Sequence, residues 1–326
     1  MSVVLLRAPP DVGVASAVRE GLGGERKHLP PWLLYDEEGS RLFERITTLP
    51  SYYLTRAERA VLEAHAGEIL DAWGTRVDEV VELGAGTATK SQLLLRVLVA
   101  RQGSTCFVPV DVSAAPVNQA RARLARELPT VTVAPMFQQH EAALAALAAR
   151  PTRRVVLFLG SSIGNLEPNE AVSLARAVRG CIAPGPEGTG GALVLGTDLR
   201  KSPELLLPAY DDPEGVSAAF NRNVLARINR ELGGRFDLSA VRHVAEWNEP
   251  GSRMDMYLES LRDQSVPITA LGMTVRLGRG ERIHTESSRK YGIEDVDALL
   301  GSAGMRRLRT WTDPERRFAV HVAGVI

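Results

Sequence analysis

Cysteine is nearly absent from this chain, whose 326 residues include only Cys106 and Cys181, neither of them in a CxxC pair. Two distant thiols cannot form a disulfide framework or a cysteine-rich zinc site, so a reducing, cytoplasmic environment is expected. The six histidines also lack the HExxH pattern and any other ligand spacing. No metal is therefore predicted.

An excess of either charge is also missing, since 39 basic residues balance 39 acidic ones. A neutral chain has no global field that would collect nucleic acid or an anionic membrane. No stretch approaches the roughly 20 apolar residues of a membrane span, and the N-terminal apolar run is too short for a signal peptide. The sequence therefore predicts a soluble protein whose partner is a small molecule, with neither nucleic acid nor membrane involved. A monomer is expected, although nothing in the sequence fixes the oligomeric state.

Strand-like and helical segments alternate between residues 77 and 199. The helical segments are 90–100, 115–128 and 169–179, the last with Gly180 as its C-cap. The apolar, β-branched runs between them suit strands that are buried on both faces: VDEVVEL, CFVPVDV, VTVAPMF, RRVVLFLG and GALVLGT. Such alternation predicts a doubly wound α/β domain with a parallel sheet.

The flanking regions have a different texture. Residues 1–57 are predicted to be irregular, and Thr55 with Glu58 is predicted to form a capping box at the start of a helix. A long helix at 216–232 and strands at 254–260, 273–276 and 283–288 predict a second, smaller α+β region. Strands at 305–312 and 317–326, with a turn at Asp313-Pro314, are expected to close the edge of the α/β sheet.

A ligand of the α/β domain is expected beyond the carboxyl ends of the strands. The first strand leads into Glu82-Leu-Gly84-Ala-Gly86, in which the glycines let the backbone approach a ligand. The loop lacks the full GxGxxG of a phosphate site, which suits a nucleoside cofactor without phosphate. A plain structural turn is the alternative for this weak signal.

Asp111 follows the second strand, 27 positions after Gly84. An acidic residue at about this offset accepts hydrogen bonds from ribose hydroxyls in dinucleotide-binding folds. The alternative is that Asp111 or Ser113 caps the following helix. The register shared with Glu82, Gly84 and Gly86 favours ribose binding.

Several long strings in this chain resemble the histidine-specific Nα-methyltransferases of ergothioneine biosynthesis. They occur in the same order from about Leu29 to the C-terminal WTDP segment: LPSYYLTRAE, ELGAGTATKS, FLGSSIGNLEP, GTDLRKSPELLLPAYDD and AAFNRNVLARINREL. The resemblance implies a class I methyltransferase domain at 58–199 and 291–326 that binds S-adenosylmethionine. It implies a substrate-binding domain at 1–57 and 200–290.

The resemblance also implies particular contacts. It places Gly84, Lys90 and Asp111 against S-adenosylmethionine and Phe137 near the adenine, beside the strand-end residues Glu82 and Gly86 identified above. The amino acid would be bound by Tyr35, Tyr52, Asn165, Tyr210, Met256, Glu286 and Ser288. The expected product is hercynine, the Nα-trimethyl betaine of L-histidine.

Two positions depart from the family pattern. Pro135-Met136-Phe137 stands where the family usually has Gly-Asp-Phe, so the carboxylate that would accept from the adenine amine is missing. Gln138 or a backbone carbonyl is expected to replace it. Ala88 also stands where methyltransferase loops often have glycine. Neither change removes the ribose site.

The residues by themselves leave alternatives open for the substrate site. Asn165 follows a central strand, where its amide could orient an amino acid, although asparagine is also a common turn residue. Tyr35, Tyr52 and Tyr210 would be read as packed side chains without the resemblance. Glu286 and Ser288 face the same way on an extended segment and suit the two nitrogens of imidazole, but a polar surface strand fits equally well.

Methyl transfer is a direct displacement in which the enzyme aligns and desolvates an amine. Tyr35 and Asn165 are predicted to hold the nitrogen, and solvent or a tyrosine hydroxyl to take its proton. One alternative function is the same chemistry on tryptophan or tyrosine. Another is a non-catalytic nucleoside-binding protein, and the incomplete glycine pattern disfavours a dehydrogenase.

Overall fold

The computed structural model describes residues 13–74, 76–150, 152–182 and 190–326. In these residues the helices are α1 (Val14–Gly23), α2 (Glu37–Thr48), α3 (Leu54–Ala72), α4 (Ser91–Gln102), α5 (Ala114–Glu127), α6 (His140–Ala148), α7 (Pro168–Ile182), α8 (Pro203–Tyr210), α9 (Val216–Leu232) and α10 (Ile293–Ser302). The strands are β1 (Glu79–Leu83), β2 (Thr105–Val110), β3 (Val131–Val133), β4 (Arg154–Phe158), β5 (Ala192–Asp198), β6 (Val241–Asn248), β7 (Arg253–Ser260), β8 (Gln264–Ile268), β9 (Met273–Leu277), β10 (Arg282–Arg289), β11 (Met305–Thr312) and β12 (Phe318–Val325).

The described chain divides into two compact units. The first contains Leu54–Arg200 and Lys290–Ile326, and the second contains residues 13–53 and Lys201–Arg289. The boundaries expected from the sequence lie at most four residues from these positions. The assignment of cofactor binding to one unit and substrate binding to the other stays a prediction.

The first unit is built on a seven-stranded sheet in the order β11-β12-β5-β4-β1-β2-β3. Strands β1 to β5 are parallel, and β12 runs antiparallel to both β5 and β11. The central strand β1 is hydrogen-bonded on both sides, with Val81 opposite Val108 and Val156. This confirms the predicted doubly wound sheet with a C-terminal strand pair, because strands enclosed on both faces require continuous apolar runs.

The second unit is α+β, as predicted. It contains a three-stranded antiparallel sheet, β10-β7-β6, and a two-stranded sheet, β8-β9. Helix α9 has the predicted bounds and buries Val224, Leu225 and Ile228 in an apolar core that also includes Leu258 and Ile283 from the larger of these sheets. An amphipathic helix on one face of an antiparallel sheet is the packing that the 3.6-residue and two-residue periodicities predict.

Some local predictions were wrong. The described part of this region, residues 13–57, is not irregular, since it contains α1 and α2, and Asp36 caps α2 by accepting from the Gly39 N–H at 2.8 Å. Gly180 does not end α7, which continues to Ile182. This glycine lies on an open surface of the helix and does not interrupt the helix. The Thr55–Glu58 capping box is replaced by a helix that begins at Leu54 and buries Glu58. Residues 1–12, with the apolar run judged too short for a signal peptide, lie outside the described residues.

Within the described residues, no helix has the length and apolar character needed to cross a bilayer. The longest, α3, has 19 residues and carries charged side chains along its exposed face, such as Arg59 and Glu63.

His321 is a buried polar residue at the centre of β12. Its Nε2 lies 2.8 Å from Thr197 Oγ1, and its Nδ1 lies 2.9 Å from Thr310 Oγ1. Burial lowers the pKa of this imidazole from 6.5 to about 4, because a charged ring would lose its hydration there. The folded protein therefore holds His321 neutral over a pH range in which an unfolded chain would protonate it.

This depressed pKa predicts a loss of stability in weak acid. As the pH falls from 6.5 towards 4, protonation favours the unfolded chain, and at pH 5 the contribution of His321 amounts to about 2 kcal/mol. His321→Gln keeps polar atoms near both threonines but does not titrate. In urea denaturation at pH 7.5 and pH 5, the variant should lose about 2 kcal/mol less unfolding free energy than the wild type. Equal losses in the two proteins would contradict the prediction.

Candidate active site

The loop after β1 turns sharply against the end of β2. Gly84 and Gly86 have φ of +66° and +50°, in the left-handed region that favours glycine. The Gly84 N–H donates to the Val110 carbonyl at 2.8 Å, which fixes the loop to the neighbouring strand. Ala88 adopts φ +51° although it has a Cβ and is fully buried, a conformation that costs about 1 kcal/mol. The departure noted in the sequence is therefore absorbed as local strain without a change of the turn.

Asp111 follows β2 and is almost fully buried. Its Oδ2 accepts from the Gly86 N–H and its Oδ1 from the Ser113 N–H, both at 2.9 Å. Burial raises the pKa of this carboxyl, against the opposing effect of these backbone bonds. An ionised carboxylate has about four acceptor positions, and the backbone N–H groups of Gly86, Val112 and Ser113 do not fill all of them, so capacity remains for a ribose. The capping bond to Ser113 and a ribose contact are thus compatible.

The backbone of Met136 pairs with the end of β2. Met136 donates its N–H to the Pro109 carbonyl at 2.9 Å and accepts from the Asp111 N–H at 3.1 Å. This bridge extends the edge of the sheet and brings Phe137 beside Asp111, with the Phe137 side chain about half exposed. The Met136 carbonyl accepts one hydrogen bond and has a second lone pair, so Gln138 and a backbone carbonyl both stay predicted substitutes for the missing acidic contact.

The first residues of α4 contact two buried carboxylates. The Lys90 ammonium forms an ion pair with Glu58, and Ser91 Oγ donates to Glu82 Oε2 at 2.6 Å. The lysine charge is already neutralised here, and the loop lacks the full glycine pattern of a phosphate site, so the residues present fit a nucleoside without phosphate. A lysine ammonium has three donors, so the predicted contact of Lys90 with the cofactor stays a prediction.

Asn165 lies at the same edge of the sheet. Residues Ser162–Asn165 form a 3-10 turn directly after β4, and the preceding Gly160 and Ser161 have φ of +80° and +58°. Because β1, β2 and β4 are parallel neighbours, their carboxyl ends bring Gly84, Asp111 and this turn to one edge. Asn165 is half-buried there, as predicted for a residue beyond a central strand.

The second unit gathers the other predicted substrate residues around Tyr35. Burial raises the pKa of Tyr35 well above 10, and the nearby Glu286 carboxylate raises it further, followed by Tyr52 and Tyr210. A charge affects a phenol in this way only at short range. Four residues from three distant parts of the chain therefore meet in one place.

Strand β10 contributes a carboxylate and a hydroxyl to this cluster. Glu286 lies opposite Met256 of β7, and Ser288 lies opposite Met254, after a register shift that follows His284. Ser288 Oγ is 3.0 Å from the Tyr210 hydroxyl. Residues two apart on a strand share a face, so Glu286, Ser288 and the Met256 side chain are neighbours.

Two phenylalanines support these tyrosines. Phe220 of α9 and Phe43 of α2 meet the Tyr35 ring edge-on, with centroid separations of 5.2 and 5.6 Å, and Phe43 is 6.2 Å from Tyr52. Edge-to-face pairs add about 1 kcal/mol each beyond area burial. Nothing local in the sequence singled out Phe220, whose only signal was its place on the apolar face of α9.

His243 of β6 holds the end of α8. Its Nε2 lies 2.8 Å from the Tyr210 carbonyl, and its Nδ1 is 2.8 Å from Asn221 Nδ2. Burial lowers the pKa of His243, so the ring is neutral, with Nδ1 accepting from the amide and Nε2–H donating to the carbonyl. The backbone of Tyr210 is thereby anchored from behind.

Metal coordination has no candidate in the part of the chain that the structure describes, where no three His, Cys, Asp or Glu side chains are grouped to hold an ion. A seven-stranded sheet in this order, with five parallel strands and an antiparallel C-terminal pair, defines the class I methyltransferase fold, and the carboxyl edge of its parallel strands fits the nucleoside of S-adenosylmethionine.

The chain belongs to the histidine-specific, S-adenosylmethionine-dependent methyltransferase family, whose model matches residues 14–325. It is 42% identical over 306 residues to the histidine N-alpha-methyltransferase of Mycobacterium tuberculosis, covering 94% of this chain and 93% of that protein. The enzyme of the same name from Mycolicibacterium smegmatis is 41% identical, with the same coverage. Ergothioneine biosynthesis protein 1 of Neurospora crassa is 28% identical over 88% of this chain and 32% of its own length.

The geometry of Asp111 predicts an effect on cofactor affinity. Asp111→Ala should weaken binding of S-adenosylhomocysteine by about 1–3 kcal/mol, because two ribose hydroxyls lose their acceptor. Calorimetry on the folded variant measures this. Asp313→Ala is a matched control, since Asp313 is equally buried and caps two backbone N–H groups, those of Arg317 and Phe318. Unchanged affinity in Asp111→Ala would refute the ribose assignment.

Proposed function

We propose that this protein transfers three methyl groups in succession from S-adenosylmethionine to the α-amino nitrogen of L-histidine, which yields hercynine for ergothioneine biosynthesis. The observation that carries the proposal is the convergence of Glu286, Ser288 and three tyrosines in the second unit of a chain from this family. The names of the mycobacterial relatives support the same activity.

The proposed imidazole site uses Glu286 and Ser288. One imidazole nitrogen donates to the Glu286 carboxylate, and the other accepts from the Ser288 hydroxyl. The Ser288 hydroxyl can accept a hydrogen bond from the Tyr210 hydroxyl, 3.0 Å away. Its own proton is then available to donate to the imidazole. Met256, buried opposite Glu286, limits the width of the site.

S-adenosylmethionine supplies an electrophilic methyl group on a sulfonium, which is already a good leaving group. The protein must therefore desolvate and align a neutral amine. Asn165 and Tyr35 are the residues proposed to hold that nitrogen through hydrogen bonds. Because burial and Glu286 raise the pKa of Tyr35, its hydroxyl stays protonated, so the proton of the incoming ammonium passes to solvent. The nitrogen lone pair is then free to react.

The monomeric state and the cytoplasmic location expected from the sequence belong to the same proposal. The location is supported by the two distant cysteines, outside any CxxC pair, which suit a reducing compartment.

Incubation with S-adenosylmethionine and each of the twenty amino acids tests the activity itself. Mass spectrometry should show gains of one, two and three methyl groups on histidine. Gains confined to another amino acid would move the proposal to that substrate. Tight cofactor binding without any methyl transfer would select the non-catalytic alternative.

Asn165→Ala tests the nitrogen contact. The variant should lose about tenfold or more in kcat/KM for histidine, while affinity for S-adenosylhomocysteine changes little, because the amide would contact the substrate and not the cofactor. Ser162→Ala is the control, since Ser162 Oγ supports the same turn by donating to the Leu159 carbonyl at 3.0 Å. Joint loss of cofactor binding and thermal stability in Asn165→Ala would show that Asn165 acts as a turn residue.

Glu286 and Met256 test the identity of the substrate. Glu286→Ala removes the charged acceptor of the imidazole, and Met256→Val widens the site, so the double variant should gain activity on tryptophan relative to histidine. The measurement is kcat/KM for both amino acids. Glu246→Ala is the control, because Glu246 lies on the opposite face of the same sheet and pairs with Arg282 at 2.8 Å. A double variant that keeps its full preference for histidine would mean that Glu286 does not contact the substrate.

A further inference from the structure

Glu58 is a fully buried carboxylate that connects three elements of the first unit. One oxygen, Oε2, accepts from the Lys90 ammonium, and the other, Oε1, accepts from the Gly160 N–H at 2.7 Å. Strand β5 leaves room for it, since a Cβ on Gly196 would lie 2.3 Å from Oε1. Helix α3 therefore holds a charge against the start of α4, the loop after β4 and the middle of β5.

The two donors to Glu58, Lys90 and Gly160, each adjoin or begin a segment of the candidate site. Lys90 immediately follows the cofactor loop, residues 84–89, and is the N-cap of α4. Gly160 opens the Asn165 turn, residues 160–165, in which two consecutive residues have positive φ. The backbone of that turn is unfavourable in isolation, so it persists only because surrounding bonds hold it.

Stability alone is a poor explanation for this arrangement. Removing a carboxylate and an ammonium from water costs several kcal/mol per ion, and apolar residues of similar volume often stabilise a core as well or better. What an ion pair with an added backbone bond provides is a defined distance between the groups that it joins. Methyl transfer depends on such distances, because a misplacement of about 1 Å can cost about 100-fold in rate.

We propose that Glu58 is a positioning residue that ties the cofactor loop, through Lys90, to the Asn165 turn, through Gly160. The inference rests on the proposed function in one respect, the contact of Asn165 with the amino-acid substrate. Its two arms act on different ligands. The Lys90 arm sets cofactor affinity, and the Gly160 arm sets the rate of transfer.

The first experiment isolates the Lys90 arm. Glu58→Gln keeps an oxygen for the Gly160 N–H but turns an NH2 group towards the Lys90 ammonium, so two donors face each other. Affinity for S-adenosylhomocysteine, measured by calorimetry, should fall about tenfold. In a Lys90→Met background the same substitution should change affinity by less than about threefold, because the partner is already absent. An equal loss in both backgrounds would overturn this arm.

The second experiment isolates the Gly160 arm and contains no unpaired buried charge. Glu58→Gln/Lys90→Met and Glu58→Met/Lys90→Met both lack the ion pair, but only the glutamine retains an acceptor for the Gly160 N–H. The methionine pair should show about tenfold lower kcat/KM for histidine at equal affinity for S-adenosylhomocysteine. In an Asn165→Ala background that difference should shrink below about threefold. Equal kinetics of the two pairs, or an undiminished difference without Asn165, would show that Glu58 is only structural.

A matched control separates positioning from general loss of stability. Glu79, which is half-buried, forms another ion pair in the same unit, with the buried Arg154 at 2.8 Å, but at the amino ends of β1 and β4. Glu79→Gln should lower the melting temperature yet leave both affinity and kcat/KM within about twofold of the wild type. A loss of activity in Glu79→Gln as large as that in the Glu58 variants would overturn the proposal.

Failure of the proposed function gives a different pattern. If the wild type methylates another amino acid, kcat/KM is measured on that substrate instead of histidine. The calorimetric comparison of Glu58→Gln with and without Lys90 does not involve the amino acid and is unaffected.

Discussion

The buried ion pair between the Glu58 carboxylate and the Lys90 ammonium is the interaction on which the geometry of the first unit depends most. It joins α3 to the start of α4 and to the loop after β4, and it requires glycine at position 196 of β5. A charged pair in a low-dielectric interior tolerates little displacement, because each partner would otherwise be buried without compensation. The loops at the carboxyl edge of the sheet thus share one rigid support.

A second buried pair fixes the segments where the first unit resumes after its long interruption. Lys290 Nζ lies 2.9 Å from Asp198 Oδ2, and neither side chain is exposed. The Tyr291 N–H donates to the Asp198 carbonyl, and the Asp198 N–H donates to Ser161 Oγ at 2.8 Å. The two ends of the interruption are therefore paired with each other and with the Asn165 turn. This explains how the sheet continues from β5 to β11 and β12 although 89 residues, Lys201–Arg289, intervene.

The second unit organises its polar cluster by a different principle. The phenylalanines that support its tyrosines come from α2 and α9, and its carboxylate comes from β10. Burial of the rings stabilises the cluster, and the strand register decides which way the carboxylate points. Burial and the nearby Glu286 carboxylate raise the pKa of the Tyr35 phenol and keep it protonated. Such a cluster can bind a ligand through neutral hydroxyl groups and one charge.

Periodicity and local chemistry in the sequence were sufficient for the class of fold, the bounds of α9 and β11, and the glycine loop with Asp111 one strand away, because these depend on neighbouring residues. They were insufficient for α2, which follows its N-cap Asp36 shortly after Pro30 and Pro31, and they misassigned Glu58 to a helix cap. The partners of Glu58 and Asp198 are 32 or more residues distant, as are Tyr210 and Glu286 from Tyr35, and only the tertiary fold brings them together. Whether a charged side chain can be buried depends on such distant partners, because an isolated buried charge is unstable whatever its local sequence.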